Sequence, residues 1–205
     1  MFSIYNCNVY IKFLNLNLDE IKSSLFNLPK YLYKNITRIY IYPSKELNKD
    51  HIESITSNGI IEVNSNSCKD VKSLMKLIIH ELYHANQDQI KSEFPEEYQA
   101  ALYEYQIKRN NVLSKIKQQN FLKQPKPQYF QETDYSKEFD DYLLNQVTYA
   151  SLYNRIIDIF PNPYSMTSID EYIAVSFEIF LFENREFVYN ICPEVSKLIE
   201  RVLEV

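Results

Sequence analysis

The apolar run that begins at about Val71 constrains the fold of this chain more than any other stretch. Its apolar residues surround a helix on most sides: Leu74, Met75, Leu77, Ile78, Ile79 and Leu82. A helix that is apolar nearly all round is buried between other elements and does not lie on a surface. The spacing of Ser67 and Asp70 fits a capping box at its start. The sequence therefore predicts a buried central helix.

The last part of this predicted helix carries the residues His80-Glu81-Leu82-Tyr83-His84. Residues four apart lie one above the other on a helix, so both imidazoles leave the same face. Two neutral histidines in this geometry can bind one zinc ion, with the glutamate beside a metal-bound water. The alternative is a solvated stripe on one helical face, made of Lys72, Lys76, His80, His84 and Asp88. The chain has only 3 histidines, which favours the metal-binding interpretation.

Composition narrows the class of protein. A chain of 205 residues with 45% hydrophobic residues most often forms one domain with a sizeable core. Gly59 is the single glycine, so neither a dinucleotide fingerprint nor a phosphate-binding loop can be formed. The formal net charge of −5 argues against nucleic-acid partners. Cys7, Cys68 and Cys192 are far apart and odd in number, which predicts reduced thiols and no thiolate zinc cluster.

The sequence shows no pattern of a secretory signal or of a membrane span. The first residues show no basic region followed by an apolar core, and no apolar run approaches the length of a membrane span. We therefore expect no membrane partner and a cytoplasmic location as synthesised. Composition leaves open whether the chain is later exported or delivered as an effector.

The order of predicted elements indicates an α+β fold. The front of the chain predicts a strand, a helix and two further strands, hence a small mixed sheet, at residues 2–14, 19–28, 36–42 and 60–63. The remainder predicts helices at residues 95–119, 134–160, 169–183 and 194–203, with Phe139, Leu143, Val147 and Leu152 as apolar positions. We interpret residues 1–205 as a single domain, in which 95–135 form a helical insertion and loop over the cleft.

Two histidines do not complete a catalytic zinc site, which needs a third protein ligand and an open position. The candidate is Glu171, in the first turn of the helix at 169–183. Its helical neighbours Ala174 and Val175 are apolar, so the carboxylate points into a buried face and must be paired or coordinated. The third histidine, His51, lies in a predicted loop, and we expect it to be solvated.

A second interpretation of Glu171 is a helix cap. The spacing of Ser168 and Glu171 is that of a capping box, in which the carboxylate would serve the start of its own helix. Thr167 and Asp170 have the same spacing one residue earlier. If they form the cap, Glu171 is available for a metal.

These residues resemble a known family. His80-Glu81-x-x-His84 is followed by Tyr164 and by Glu171-Tyr172-Ile173-Ala174-x-Ser176-Phe177. The pattern is similar to the catalytic domain of anthrax lethal factor and to the secreted Pro-Pro endopeptidases. In that family a tyrosine lies seven positions before the glutamate ligand, as Tyr164 does here. The resemblance covers the motif helix and a short stretch around Glu171.

The resemblance implies a zincin-like α+β metallopeptidase domain with a small mixed sheet, a buried HExxH helix and a mainly helical C-terminal half. It implies one Zn²⁺ per chain, bound by His80, His84 and Glu171. Glu81 would be the general base that acts on a zinc-activated water, and Tyr164 would stabilise the oxyanion. The implied function is a zinc-dependent endopeptidase with a peptide or protein substrate. The chain departs from the family at Val175, where an acidic residue is usual, and in its longer segment between His84 and Tyr164.

Two alternatives remain open at the level of sequence. A regulatory metallopeptidase resembling the ImmA/IrrE group also pairs HExxH with a glutamate on a later helix. There the glutamate usually follows more closely, and the tyrosine spacing is absent. The other alternative is a non-catalytic helical binding or toxin-type module with an inert HExxH. A metal assay separates this last class from the enzymes.

Overall fold

The computed structural model describes residues 1–12, 16–49, 52–118 and 124–205. It is an α+β protein with a small mixed sheet near the N-terminus and helices in most of the remainder, which confirms the predicted class. The chain divides into two compact units. Unit 1 contains residues 1–92 and 201–205, and unit 2 contains residues 93–200. The single domain at 1–205 and the placement of 95–135 over a cleft stay predictions.

Unit 1 contains a five-stranded sheet. Its strands are β1 (Phe2–Ile4), β2 (Cys7–Ile11), β3 (Arg38–Tyr42), β4 (Ser54–Ser57) and β5 (Ile60–Asn64). Their spatial order is β1-β2-β3-β5-β4. β2, β3 and β5 are parallel, whereas β1 and β4 pair antiparallel at the two edges. The predicted small mixed sheet is therefore confirmed.

One face of this sheet forms part of the core of unit 1. Val9, Ile39 and Ile61 lie side by side in register, and all three are fully buried. Side chains alternate between the two faces of a strand, so Tyr10 and Tyr40 lie on the opposite face. These two rings are half-buried and stacked, with centroids 4.9 Å apart. The sheet is thus apolar on one face and amphipathic on the other.

Two short strands differ from the sequence prediction. The single strand predicted at 2–14 is a hairpin, because Tyr5 turns the chain with φ 50° between β1 and β2; Phe13 and Leu14 lie outside the described residues. β4 was not predicted; a tight turn joins it to β5. In that turn Gly59 has φ 72°, and a Cβ there would lie 2.8 Å from the Asn35 carbonyl oxygen. Only glycine fits this close approach.

The long helix of unit 1 is α3 (Val71–Glu93), which follows α1 (Leu18–Phe26) and α2 (Lys45–Lys49). All but one of the apolar residues named for it are buried; Leu77 is half-buried. The capping box predicted at Ser67 is wrong, because Ser67 belongs to a 3₁₀ turn at Ser65–Ser67. Asp70 caps α3 instead, since its Oδ1 accepts a hydrogen bond from the Ser73 amide at 2.7 Å. The Ser73 hydroxyl oxygen accepts one from the Lys69 amide at 3.0 Å.

A buried asparagine fixes the position of α3 within unit 1. Asn86 is fully buried, and its Nδ2 donates to the Leu82 carbonyl at 2.8 Å and to the Leu32 carbonyl at 2.7 Å. Leu32 lies in a 3₁₀ turn at Lys30–Tyr33. Asn35 Nδ2 donates a hydrogen bond to the carbonyl of Ala85, the residue before Asn86, at 3.3 Å. The segment after α1 is therefore tied to the turn of α3 that contains His84.

Unit 2 is built from helices. They are α4 (Pro95–Lys117), α5 (Lys137–Tyr142), α6 (Tyr149–Ile156), α7 (Ile169–Phe182), α8 (Arg185–Ile191) and most of α9 (Pro193–Leu203). The helix predicted at 134–160 is interrupted by a π turn at Leu143–Val147 and by Thr148, with φ 66°. The four apolar positions predicted for this stretch are all buried. α8 was not predicted.

Aromatic packing between α4 and α7 forms the centre of unit 2. Tyr105, Phe160 and Tyr172 are fully buried, and their ring centroids lie 5.4 to 6.0 Å apart. The Glu104 carboxylate accepts hydrogen bonds from the Tyr172 phenol and from the Glu194 amide. Because Glu194 is in the first turn of α9, this one carboxylate joins three helices. Tyr105 of α4 is therefore a core residue of unit 2.

The three cysteines are free thiols, as predicted. Cys7 and Cys192 are buried, and Cys68 is partly exposed. Burial raises the pKa of each thiol to about 11, so the reactive thiolate is scarce at neutral pH. None of the helices in the described part of the chain is long and apolar enough to cross a membrane.

Candidate functional site

His80 and His84 converge on one face of α3. Their Nε2 atoms lie 3.0 Å apart, and the ring centroids are separated by 4.7 Å. Both side chains are half-buried, whereas Lys72 and Asp88, at the two ends of the alternative solvated stripe, are exposed. The two histidines are thus less exposed to solvent than the ends of the stripe, and their Nε2 atoms point to a common position.

Gln87 contacts the other nitrogen of His84. The distance between His84 Nδ1 and Gln87 Oε1 is 3.2 Å. With Gln87 Oε1 as the acceptor, His84 donates from Nδ1, and this tautomer leaves the Nε2 lone pair for a ligand. Such a contact orients a metal-ligating histidine. Gln87 was not predicted as a site residue, although its position three residues after His84 on a helix could have identified it.

Glu81, between the two histidines, is 6% exposed. Its Oε1 accepts a hydrogen bond from the Ser54 hydroxyl at 2.8 Å. Its backbone carbonyl accepts one from the Thr56 hydroxyl at 3.2 Å. Both partners lie on β4, the antiparallel edge strand. Neither residue was predicted as part of the site, because β4 itself was not predicted.

Glu171 lies in the first turn of α7 and is 8% exposed, in agreement with its predicted buried position. Ser168 is the N-cap of α7, and its hydroxyl oxygen accepts a hydrogen bond from the Glu171 amide at 3.1 Å. Of the two caps that the sequence left open, the Ser168 cap is therefore the one observed. Thr167 instead donates its hydroxyl to the Tyr164 carbonyl at 2.8 Å. The observed cap uses the backbone of Glu171, so it does not require the carboxylate.

Tyr164 lies in a 3₁₀ turn, Tyr164–Met166, immediately before α7. Burial, followed by the negative charge of Glu171 and a side-chain hydrogen bond with it, raises the pKa of the Tyr164 phenol. The phenol therefore stays protonated at neutral pH and can donate a hydrogen bond. The Tyr105 hydroxyl donates to the Met166 carbonyl at 2.9 Å, so α4 holds this turn in place.

A second acidic group lies in the same part of unit 2. The Asp140 carboxylate accepts hydrogen bonds from Tyr135, at 3.0 Å, and from Tyr149. Its charge also contributes to the raised pKa of Tyr164. Burial, the bond to Asp140 and the charge of Glu171 raise the pKa of Tyr135 to about 12. Nothing in the sequence distinguished these residues, because the chain contains 18 tyrosines.

The structure thus brings His80 and His84 together in unit 1, and Tyr164 and Glu171 together in unit 2. Val175, where the resembling family has an acid, is buried. His51 lies outside the described residues. No protein-family model matches the chain, and no curated protein and no solved structure matches it. The functional interpretation therefore depends on the residues themselves.

Proposed function

We propose that this chain is a zinc-dependent endopeptidase with a zincin-like fold. His80, His84 and Glu171 would hold one zinc ion, Glu81 would be the general base, and Tyr164 would stabilise the oxyanion. The observation that carries the proposal is the convergence of the two Nε2 atoms at 3.0 Å on the turn of α3 that contains Glu81. The small mixed sheet beside a buried HExxH helix supports it.

The donor atoms fit a catalytic zinc site. Zinc–nitrogen bonds of about 2.0–2.1 Å at a tetrahedral angle separate two ligating nitrogens by about 3.3 Å. The observed 3.0 Å requires only a small opening of the pair. Two imidazoles and one carboxylate are a ligand set that catalytic zinc sites use. Three protein ligands leave one position open, as catalytic zinc requires and structural zinc does not.

The remaining chemistry belongs to the side chains. Zinc, when bound, would polarise the scissile carbonyl and make water more acidic. Glu81 then takes the proton of the attacking water on its carboxylate and passes it to the leaving amine. Tyr164 donates its phenolic hydrogen to the developing oxyanion. Its contact with Glu171 adds a second role, because a hydrogen bond to a ligating carboxylate fixes the orientation of that ligand.

The first test measures metal. Purified protein prepared without chelator should contain about one zinc per chain, and a chelator should remove both the metal and the activity. Activity is measured on a proteome-derived peptide library, by mass spectrometry of new N-termini. A protein that contains no zinc and cannot be loaded would be the inert binding module.

The second test isolates the general base. Glu81→Gln should retain zinc and fold but produce no new N-termini, because an amide cannot take the proton. Asp88→Asn is the matched control, since it removes an exposed carboxylate from the same helix and should keep the activity. Cleavage by the Glu81→Gln protein at the rate of the wild type would remove Glu81 from the mechanism.

A further inference from the structure

The Glu81 carboxylate has a hydroxyl partner that the HExxH motif does not specify. Ser54 Oγ lies 2.8 Å from Glu81 Oε1, and the carboxylate can only accept from it. A hydrogen bond to an ionised group is stronger than one between neutral groups. Glu81 is buried and Ser54 is half-buried, so water has only partial access to this contact.

The edge strand β4 is held against α3 at this position. Ser54 is opposite Val63 in the antiparallel pair of β4 with β5. Ser54 and Thr56 are half-buried, whereas Ile55 and Ser57, which alternate with them, are exposed. The Thr56 hydroxyl bonds the Glu81 backbone carbonyl. One strand therefore contacts both the main chain and the side chain of Glu81.

We propose that Ser54 is a positioning residue for Glu81, a role that depends on the endopeptidase function proposed above. The Ser54 hydroxyl holds Oε1, which leaves Oε2 as the oxygen that takes the proton from water. During proton transfer the O–H bond of water breaks and a new one forms at Oε2, while the Ser54 proton stays on its own oxygen. Ser54 thus acts through Glu81 and does not touch the reacting atoms.

The reason that such a contact matters is the freedom of a glutamate side chain. An unrestrained glutamate side chain loses rotamer entropy when it is fixed in one conformation. A base that is misplaced by about 1 Å can lose roughly a hundredfold in rate. A hydrogen bond to one carboxylate oxygen restrains the last side-chain torsion of the glutamate. This restraint also fixes the position of the second carboxylate oxygen. This effect concerns the rate of the chemical step and not the affinity for substrate.

The test compares substitutions on β4. Ser54→Ala should lower kcat by about tenfold to a hundredfold, with KM and zinc content unchanged. Ser54→Thr keeps a hydroxyl and should restore most of kcat. Ser57→Ala is the matched control, because it removes an exposed hydroxyl from the same strand and leaves the Glu81 carboxylate bonded; its kcat should equal that of the wild type.

A second readout does not depend on activity. In a double-mutant cycle of Ser54→Ala and Glu81→Ala, the free energies of unfolding should be non-additive. Ser54→Ala should destabilise the wild type and have little effect once the carboxylate is gone. Additive effects would show that the two side chains do not interact in solution, and this would overturn the proposal.

The outcomes separate the two proposals. An active wild type with an unchanged kcat in Ser54→Ala, or an equal loss in Ser57→Ala, overturns the positioning role and leaves the endopeptidase in place. A kcat that Ser54→Thr does not restore overturns it as well. A zinc-loaded wild type that cleaves no peptide overturns both proposals together.

Discussion

The assignment of Glu171 as the third zinc ligand leads to a paired prediction. Glu171→Gln should weaken zinc binding strongly, whereas Glu178→Gln should not. Both residues lie on α7, and seven residues of helix separate them by about 10 Å along the axis. A zinc–oxygen bond is only about 2 Å long, so the two carboxylates cannot serve one ion. Glutamine preserves the shape of Glu171 and can still accept a hydrogen bond from Tyr164.

The size of the effect follows from the number of ligands. Apparent zinc-binding free energies of about 10–16 kcal/mol in four-ligand sites correspond to roughly 3 kcal/mol for each ligand. The loss of one ligand from three should therefore weaken binding on the order of a hundredfold or more. The assay is competition of each variant with a chromophoric chelator at fixed pH. Circular dichroism of the apo proteins should show that both variants remain folded.

One result would refute this reasoning. If Glu178→Gln lost the metal and Glu171→Gln retained wild-type affinity, the ligand would lie two turns further along α7. Tyr164 would then lose its assigned role, because that role was inferred from its position before Glu171 and from its contact with that carboxylate.

Three further substitutions test single contacts. Tyr164→Phe should lower kcat on the order of a hundredfold with a smaller change in KM, because an oxyanion donor acts mainly in the transition state; an unchanged rate would leave Tyr164 as one of many packed tyrosines. Gln87→Ala should lower zinc affinity by about tenfold or more in the same competition assay, through loss of the contact that orients His84, and equal affinity would contradict it. Asn86→Ala should lower the free energy of unfolding by about 2 kcal/mol in urea titrations, because the buried Leu32 carbonyl loses its partner; a change under about 0.5 kcal/mol would mean that the carbonyl finds another donor.

Short elements were the least predictable part of the fold. β4 contains only Ile55 as a large apolar residue, and its pairing with β5 comes from a partner strand and not from its own sequence. The hairpin between β1 and β2 depends on Tyr5 at positive φ, which residue type alone does not indicate. Local propensity is a weak guide wherever tertiary pairing supplies the stability.

Helix caps show the same limit on a smaller scale. At the start of α3 the capping-box spacing is that of Ser67 and Asp70, yet the observed cap is Asp70. At the start of α7 the same spacing occurs at Thr167 and Asp170, yet the observed cap is Ser168. Several residues near each helix start can serve the free amides. The path of the incoming chain decides among them, and that path is set by packing.

The sequence by itself determined the burial of α3 and the common face of His80 and His84. Both follow from helical periodicity, which is a property of residues close together in the chain. Only the tertiary structure decided that Ser54 contacts the Glu81 carboxylate, since the two residues are 27 positions apart and meet through the pairing of an edge strand. The contact of the Tyr164 phenol with Glu171 likewise depends on the turn that Tyr105 holds from α4. Contacts between distant segments require the whole core to form, and no local pattern encodes them.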